Sequence, residues 1–163
     1  MPDGDRASTS PTMSLEKLIE KLSSDYPDLR LISSDHFRWS PENKSIHINK
    51  DSETAVLSLL HEISHMLCGH NHYKSDIGLL RMEVEAWERA KDIGADYGLP
   101  IDEDHIEKCL DSYREWIYRR SSCPLCTQAG VERKTGLYVC INCQKKWRVT
   151  SARFCRVYRK TVT

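Results

Sequence analysis

The stretch from Ala55 to Gly69 reads AVLSLLHEISHMLCG, and it decides both the fold and the candidate chemistry. Its apolar residues recur at helical spacing, so the sequence predicts a helix from Glu53 to about Leu67. His61 and His65 are four residues apart and share one helical face, from which both imidazoles can reach one metal ion. Glu62 lies beside them, where it can accept a proton from a water molecule without binding the metal. This H-E-x-x-H pattern predicts a catalytic zinc site.

A catalytic zinc ion needs a third protein ligand, and the next predicted helix, from about Asp76 to Tyr97, offers two carboxylates. Glu83 falls on the apolar stripe of this helix, whereas Glu85 falls on the polar face. A carboxylate in an apolar stripe is costly unless it is paired, and a zinc ion would pair with it. We therefore predict Glu83 as the third ligand and keep Glu85 as the alternative. The alternative in which Glu83 pairs with an arginine instead of a metal ion remains open.

Three polar residues of the loop after the predicted active helix are candidates for stabilising an oxyanion. His70, His72 and Tyr73 could each donate a hydrogen bond to the negative charge that develops during hydrolysis. The simpler interpretation is that loop histidines such as these are exposed polar residues.

The pairing of His61-Glu62-Ile63-Ser64-His65 with Glu83-Val84-Glu85-Ala86 resembles the zincin metallopeptidases whose third ligand is a glutamate on a following helix. It is most similar to the ImmA/IrrE-type peptidases, whose second motif reads E-x-E-A-N. Trp87 stands where that motif ends in Asn or Asp. The resemblance covers about residues 35–97. It implies a zinc metalloendopeptidase with a protein or peptide substrate. It also implies that the strand before the active helix, Ser45 to Asn49, is an edge strand that pairs with extended substrate.

Four of the seven cysteines form two C-x-x-C pairs near the end of the sequence. Cys123 and Cys126 are separated from Cys140 and Cys143 by 13 residues that include two glycines. This spacing predicts a structural zinc site with four thiolate ligands, of the zinc-ribbon type. Redox chemistry at the C-x-x-C pairs is the lesser alternative. A metallopeptidase with a C-terminal zinc ribbon is also similar to the SprT-like proteases, although those carry a third histidine rather than a glutamate.

The formal net charge of zero conceals an asymmetry between two parts of the sequence. Residues 1–118 carry 13 basic and 23 acidic side chains, whereas residues 119–163 carry 11 and 1. Phosphate neutralisation combined with base stacking is one use of basic residues interleaved with aromatic ones. The nucleic-acid candidates are Arg133, Lys134, Lys145, Lys146, Trp147 and Arg148. A solvated basic face, or docking to the acidic part of the same chain, is the alternative. A catalytically inactive zincin scaffold whose ribbon binds nucleic acid is therefore the second functional hypothesis.

The order of predicted elements indicates an α+β fold. We expect helices on a small, mostly antiparallel sheet at residues 14–120, followed by a basic zinc-ribbon module at residues 121–163 and preceded by a disordered tail at residues 1–13. A helix capped by Ser14, a hairpin around residues 41–44 and a helix from Asp102 to about Arg119 complete the first domain. The sequence contains no signal peptide or membrane-length apolar run, so we expect a cytoplasmic protein without a membrane partner.

Overall fold

A computed structural model describes residues 13–153 and 156–162 of the chain. Within these ranges the fold is α+β, with four helices and two small sheets. The predicted tail lies outside the described residues, apart from Met13, and so does Cys155. The helices are α1 (Leu15–Asp25), α2 (Ala55–Leu67), α3 (Asp76–Asp96) and α4 (Glu103–Ser121). The strands are β1 (Arg30–Ser33), β2 (Arg38–Ser40), β3 (Ser45–Ile48), β4 (Gly130–Lys134), β5 (Leu137–Cys140), β6 (Lys146–Val149) and β7 (Arg159–Val162).

The chain divides into two compact units, and helix α3 contributes to both of them. The first unit contains the chain up to His70 together with Ala86–Asp102. The second unit contains Asn71–Glu85 and the chain from Glu103 onward. The predicted domains at residues 14–120 and 121–163 remain predictions.

A capping residue and the helical spacing of its leucines explain why helix α1 of the first unit forms. The Ser14 hydroxyl accepts a hydrogen bond from the backbone N–H of Lys17, which satisfies one of the donors left open at a helix start. Leu15, Leu18 and Leu22 lie on one face and are buried. The helix ends at Asp25, shortly before Pro27, which disfavours helical backbone in the residue that precedes it.

The sheet of the first unit has the order β1-β3-β2. Strand β3 pairs in parallel with β1 and in antiparallel with β2, so it is the central strand. The prediction that Ser45 to Asn49 forms an edge strand is therefore wrong, because β1 covers the side that a substrate would have used. Strand β1 was not predicted. It is only four residues long and is mostly exposed, so it lacks the apolar alternation that identifies a strand in sequence.

Helix α2 packs against β2 and β3 through its apolar residues. Leu59, Leu60 and Ile63 are completely buried, and Ile46 and Ile48 of β3 are buried as well. Burial of one such side chain contributes about 1.5–3 kcal/mol. This packing fixes the rotation of α2 about its axis and therefore the direction of the two histidines that follow on the same helix.

The second unit contains α4 and an antiparallel meander with the order β4-β5-β6-β7. Tyr138 of β5 lies opposite Trp147 of β6, and their rings stack with centroids 5.6 Å apart. Both side chains are buried with Cys123 and Cys140 in one cluster. Gly130 lies against the Trp147 ring, where a Cβ atom would come within 2.3 Å of the indole. A side chain at this position would displace the largest residue of the cluster.

A buried ion pair connects the helices of the second unit to its sheet. The carboxylate of Asp76 accepts hydrogen bonds from Nε of Arg120 at 2.6 Å and from the Tyr138 hydroxyl at 2.5 Å. A further guanidinium nitrogen of Arg120 donates to the Thr150 carbonyl. The Arg120 carbonyl accepts from the indole N–H of Trp147 at 2.9 Å. These bonds hold the start of α3 and the end of α4 against β5 and β6.

Among the described residues, no helix combines the length and the apolar character that a membrane crossing requires.

Candidate metal centres

Helix α2 directs two imidazoles to one point. The Nε2 atoms of His61 and His65 lie 3.0 Å apart, and their rings meet edge to face with centroids 4.6 Å apart. The two residues are only 8% and 9% exposed, so the nitrogens converge in a largely water-excluded environment. Two nitrogens bound to one tetrahedral zinc ion at about 2.05 Å would lie about 3.3 Å apart. The separation and the donor type of this histidine pair fit a zinc ion.

Glu62 is held beside the histidine pair by the edge strand β2. Its Oε2 atom accepts a hydrogen bond of 2.6 Å from the backbone N–H of Trp39. The indole N–H of Trp39 donates to the His70 carbonyl at 3.0 Å. One residue of β2 therefore fixes both Glu62 and the segment that follows α2. This contact could not be predicted from sequence, because a backbone donor 23 positions away leaves no pattern.

Trp87, the departure from the E-x-E-A-N motif, contacts a predicted zinc ligand directly. Its indole stacks on the His61 ring with centroids 4.2 Å apart and an angle of 24° between the planes. Trp87 is buried and lies on the part of α3 that belongs to the first unit. An aromatic plane at this position limits the rotation of the His61 ring by packing rather than by a hydrogen bond.

Glu83 precedes Trp87 by four residues on α3, so the two side chains share one face of that helix. Glu83 is 5% exposed, whereas Glu85 is exposed, and the predicted difference in burial is therefore confirmed. Within the second unit, Tyr113 of α4 is hydrogen-bonded to Glu83. Burial raises the pKa of Tyr113, and the neighbouring charge of Glu83 raises it further. Tyr113 is thus held as a neutral donor beside the carboxylate.

An arginine contacts the same tyrosine. The guanidinium of Arg153 is 3.1 Å from the centroid of the Tyr113 ring and donates to the Ser112 hydroxyl at 2.9 Å. The alternative in which Glu83 pairs with an arginine, rather than with a metal, therefore has a specific candidate partner. Neither Tyr113 nor Arg153 was singled out from sequence, because both lie far from Glu83 along the chain.

The loop candidates differ from one another in environment. His72 is exposed and Tyr73 is partly buried. His70 is 8% exposed, and its Nδ1 atom lies 2.8 Å from Nδ1 of His65. The interpretation of His70 as an exposed polar residue is wrong, because the end of α2 turns this side chain back onto the helix.

The four paired cysteines form a compact group that could hold a metal ion. The Sγ atom of Cys126 is 3.5 Å from those of Cys140 and Cys143, and Sγ of Cys123 is 3.6 Å from that of Cys143. Four sulfurs around a tetrahedral zinc ion at about 2.3 Å would lie about 3.8 Å apart. Backbone N–H groups of Leu125 and Asn142 point at Sγ of Cys123 and Cys140, each at 3.4 Å. Such donors stabilise thiolates, so the group fits a zinc ion well.

Two basic residues of strand β6 lie on the opposite face of the sheet from the buried aromatic pair. Lys146 and Arg148 are exposed and alternate with Trp147, which is 0% exposed. The prediction that Trp147 stacks on bases is therefore wrong, since the indole fills the core of the second unit. Arg133 and Lys134 are exposed, and Lys145 is partly buried.

Comparison of the chain with protein-family models, curated proteins and solved structures found no match. The resemblance to zincin peptidases remains an interpretation of the residues themselves.

Proposed function

We propose that this chain is a zinc-dependent metallopeptidase with its catalytic ion on His61, His65 and Glu83. The observation that carries the proposal is the 3.0 Å separation of two imidazole Nε2 atoms on a buried helical face. Glu83 is the buried carboxylate of α3, one turn before the tryptophan that stacks on His61. Two neutral nitrogens and one carboxylate are a frequent ligand set of catalytic zinc in hydrolases.

A bound zinc ion lowers the pKa of its water ligand and polarises a carbonyl group. Glu62 supplies the general base of the reaction. The Trp39 N–H donates to Oε2 of Glu62, and we assign Oε1 as the atom that accepts the proton from the attacking water. Glu62 then returns this proton to the amine as the peptide bond breaks. The Trp39 contact keeps the carboxylate in one orientation through both transfers.

The test combines metal analysis with peptide cleavage. Elemental analysis should find about two zinc ions per wild-type chain and one in the double variant His61→Ala, His65→Ala. Incubation with a proteome-derived peptide library and mass spectrometry should then detect cleavage products. Glu62→Gln should reduce cleavage by about 100- to 10,000-fold without loss of zinc. The exposed Glu88→Gln is the matched control and should be fully active. Undiminished cleavage by Glu62→Gln would exclude the mechanism.

Nucleic-acid binding by the second unit is a second candidate function, and the strand register favours it. Arg148 of β6 pairs with Lys160 of β7, and Lys146 lies two residues away on the same face. Like charges directly opposite one another on a sheet destabilise it. Binding of phosphate groups would offset this repulsion, and a row of basic residues follows a nucleic-acid backbone.

This second function is tested by fluorescence anisotropy with a labelled DNA duplex at several salt concentrations. Replacing Lys146, Arg148 and Lys160 by alanine should weaken binding and reduce the salt slope by about 3, at about one unit per lost phosphate contact. The variant Lys17→Ala, Lys50→Ala, Lys108→Ala removes the same number of exposed positive charges elsewhere and is the control. Equal losses in both variants would indicate an effect of overall charge and would refute the site.

A further inference from the structure

We propose that His70 is a positioning residue that fixes the tautomer and the orientation of the zinc ligand His65. The inference deepens the proposed function and rests on it, because it concerns the same metal site. Its basis is local to the first unit: the C-terminal end of α2, one buried contact between imidazoles and two backbone hydrogen bonds.

The end of α2 determines where His70 lies. Gly69 adopts a left-handed conformation with φ +67°, and its N–H donates to the Met66 carbonyl at 3.1 Å. The N–H of His70 donates to the His65 carbonyl at 3.0 Å. These two bonds together are a Schellman motif, in which the chain folds back over the last helical turn. The chain reversal thereby brings His70 back to the carbonyl of His65, which is a predicted zinc ligand.

The side chains of the same two residues then meet. Their Nδ1 atoms are 2.8 Å apart, and their rings make an edge contact with centroids 4.9 Å apart. If Nε2 of His65 binds zinc, the ring proton of neutral His65 must reside on Nδ1. His65 is then the donor and Nδ1 of His70 the acceptor, so that His70 carries its own proton on Nε2. The hydrogen bond therefore selects the tautomer of His65 that ligates through Nε2.

His70 can perform this role because its own backbone is fixed. Its N–H is bound by the His65 carbonyl, and its carbonyl accepts from the Trp39 indole at 3.0 Å. The side chain is 8% exposed, so water competes little for Nδ1. Partners of this kind behind a metal-ligating histidine typically contribute 10- to 100-fold to metal affinity. The Trp87 indole constrains His61 by stacking, and His70 constrains His65 by a hydrogen bond.

The experiment compares two substitutions with the same number and branching of side-chain heavy atoms in the full-length chain. His70→Asn keeps an acceptor oxygen near the position of Nδ1, whereas His70→Leu removes the acceptor. Zinc affinity is measured by competition with a chromogenic chelator, and zinc at the four cysteines serves as the internal control for folding. We expect His70→Leu to weaken the histidine site by about 10- to 100-fold, and His70→Asn to restore most of that loss.

Long-range ¹H–¹⁵N correlation spectra of zinc-loaded wild type provide a second test that needs no variant. We expect His65 to carry its proton on Nδ1 and His70 on Nε2. The inference is overturned by unchanged zinc affinity in folded His70→Leu, by equal losses in both variants, or by a proton on Nε2 of His65. A wild-type chain that binds no more zinc than His61→Ala, His65→Ala would instead refute the proposed function, and this inference with it.

Discussion

Removal of the Asp76 charge should strongly destabilise the second unit. Asp76 is 1% exposed and Arg120 is 3% exposed. The carboxylate accepts from two guanidinium nitrogens of Arg120, at 2.6 and 3.1 Å, and from the Tyr138 hydroxyl. In Asp76→Asn the guanidinium charge stays buried without the carboxylate with which it pairs. Breaking a buried pair by removing one partner costs about 3–5 kcal/mol.

The matched control is Tyr138→Phe, which removes one hydrogen bond to the same carboxylate and leaves the ion pair in place. A hydrogen bond to a charged group contributes about 1.5–3 kcal/mol, so this variant should lose less stability. Replacing both charged residues, Asp76→Leu with Arg120→Met, removes the buried charges together. It should restore much of the loss, because a well-packed apolar pair often equals a buried ion pair in stability.

Urea unfolding at a fixed excess of zinc measures these differences, since bound metal itself contributes to stability. Tryptophan fluorescence is a direct probe. The indole N–H of Trp147 donates to the Arg120 carbonyl, and the Arg120 guanidinium lies 4.2 Å from the centroid of the Trp116 ring. A loss in Asp76→Asn no greater than that in Tyr138→Phe would refute the reasoning, because the charge would then contribute nothing beyond one hydrogen bond.

Three further outcomes are expected. Gly69→Ala has space for its Cβ but retains φ +67°. Thermal unfolding should therefore show a loss of about 1–2 kcal/mol in the free energy of unfolding, and chelator competition should show weaker zinc binding at the histidine site. Gly130→Ala places a Cβ 2.3 Å from the Trp147 ring and should cost about 1–3 kcal/mol in the same unfolding assay. Cys126→Ser should remove the second zinc ion on elemental analysis and abolish the near-ultraviolet circular dichroism of Trp147, because its cluster contains two of the remaining cysteines. A retained signal without zinc would show that the apolar cluster folds by itself.

The helices could be predicted because their signals are local. Ser14 and the leucines that follow it specify α1, and the predicted range from Asp76 to Tyr97 differs from α3 by one residue. Strands β1 and β7 escaped prediction for the opposite reason. Each is four residues long and largely exposed, and each is defined by pairing with a strand elsewhere in the chain. Short exposed strands carry no apolar period of their own.

His61 and His65 could be proposed as metal ligands from sequence because residues four apart on one helix share a face. The residues that support them could not, since Trp39 reaches Glu62 through a backbone N–H. Two signals were nevertheless present. Gly69 followed by His70 predicts a helix end that folds back, and alternation along β6 places Trp147 opposite its basic neighbours. In both cases the geometry of the backbone indicates whether a side chain is buried more reliably than the chemical type of that side chain does.

The three histidines around α2 can also form one continuous chain of hydrogen bonds. Buried ring nitrogens need hydrogen-bonding partners, and neutral rings can provide them in a chain. His61 can donate from Nε2 to Nε2 of His65, which donates from Nδ1 to Nδ1 of His70. In that chain His65 already has the tautomer that zinc requires, with its lone pair on Nε2. Zinc on the Nε2 atoms of both residues would then require a change of tautomer at His61 only, from a proton on Nε2 to one on Nδ1. The hydrogen bond between His65 and His70 therefore preorganises His65 for zinc, which lowers the reorganisation cost of binding.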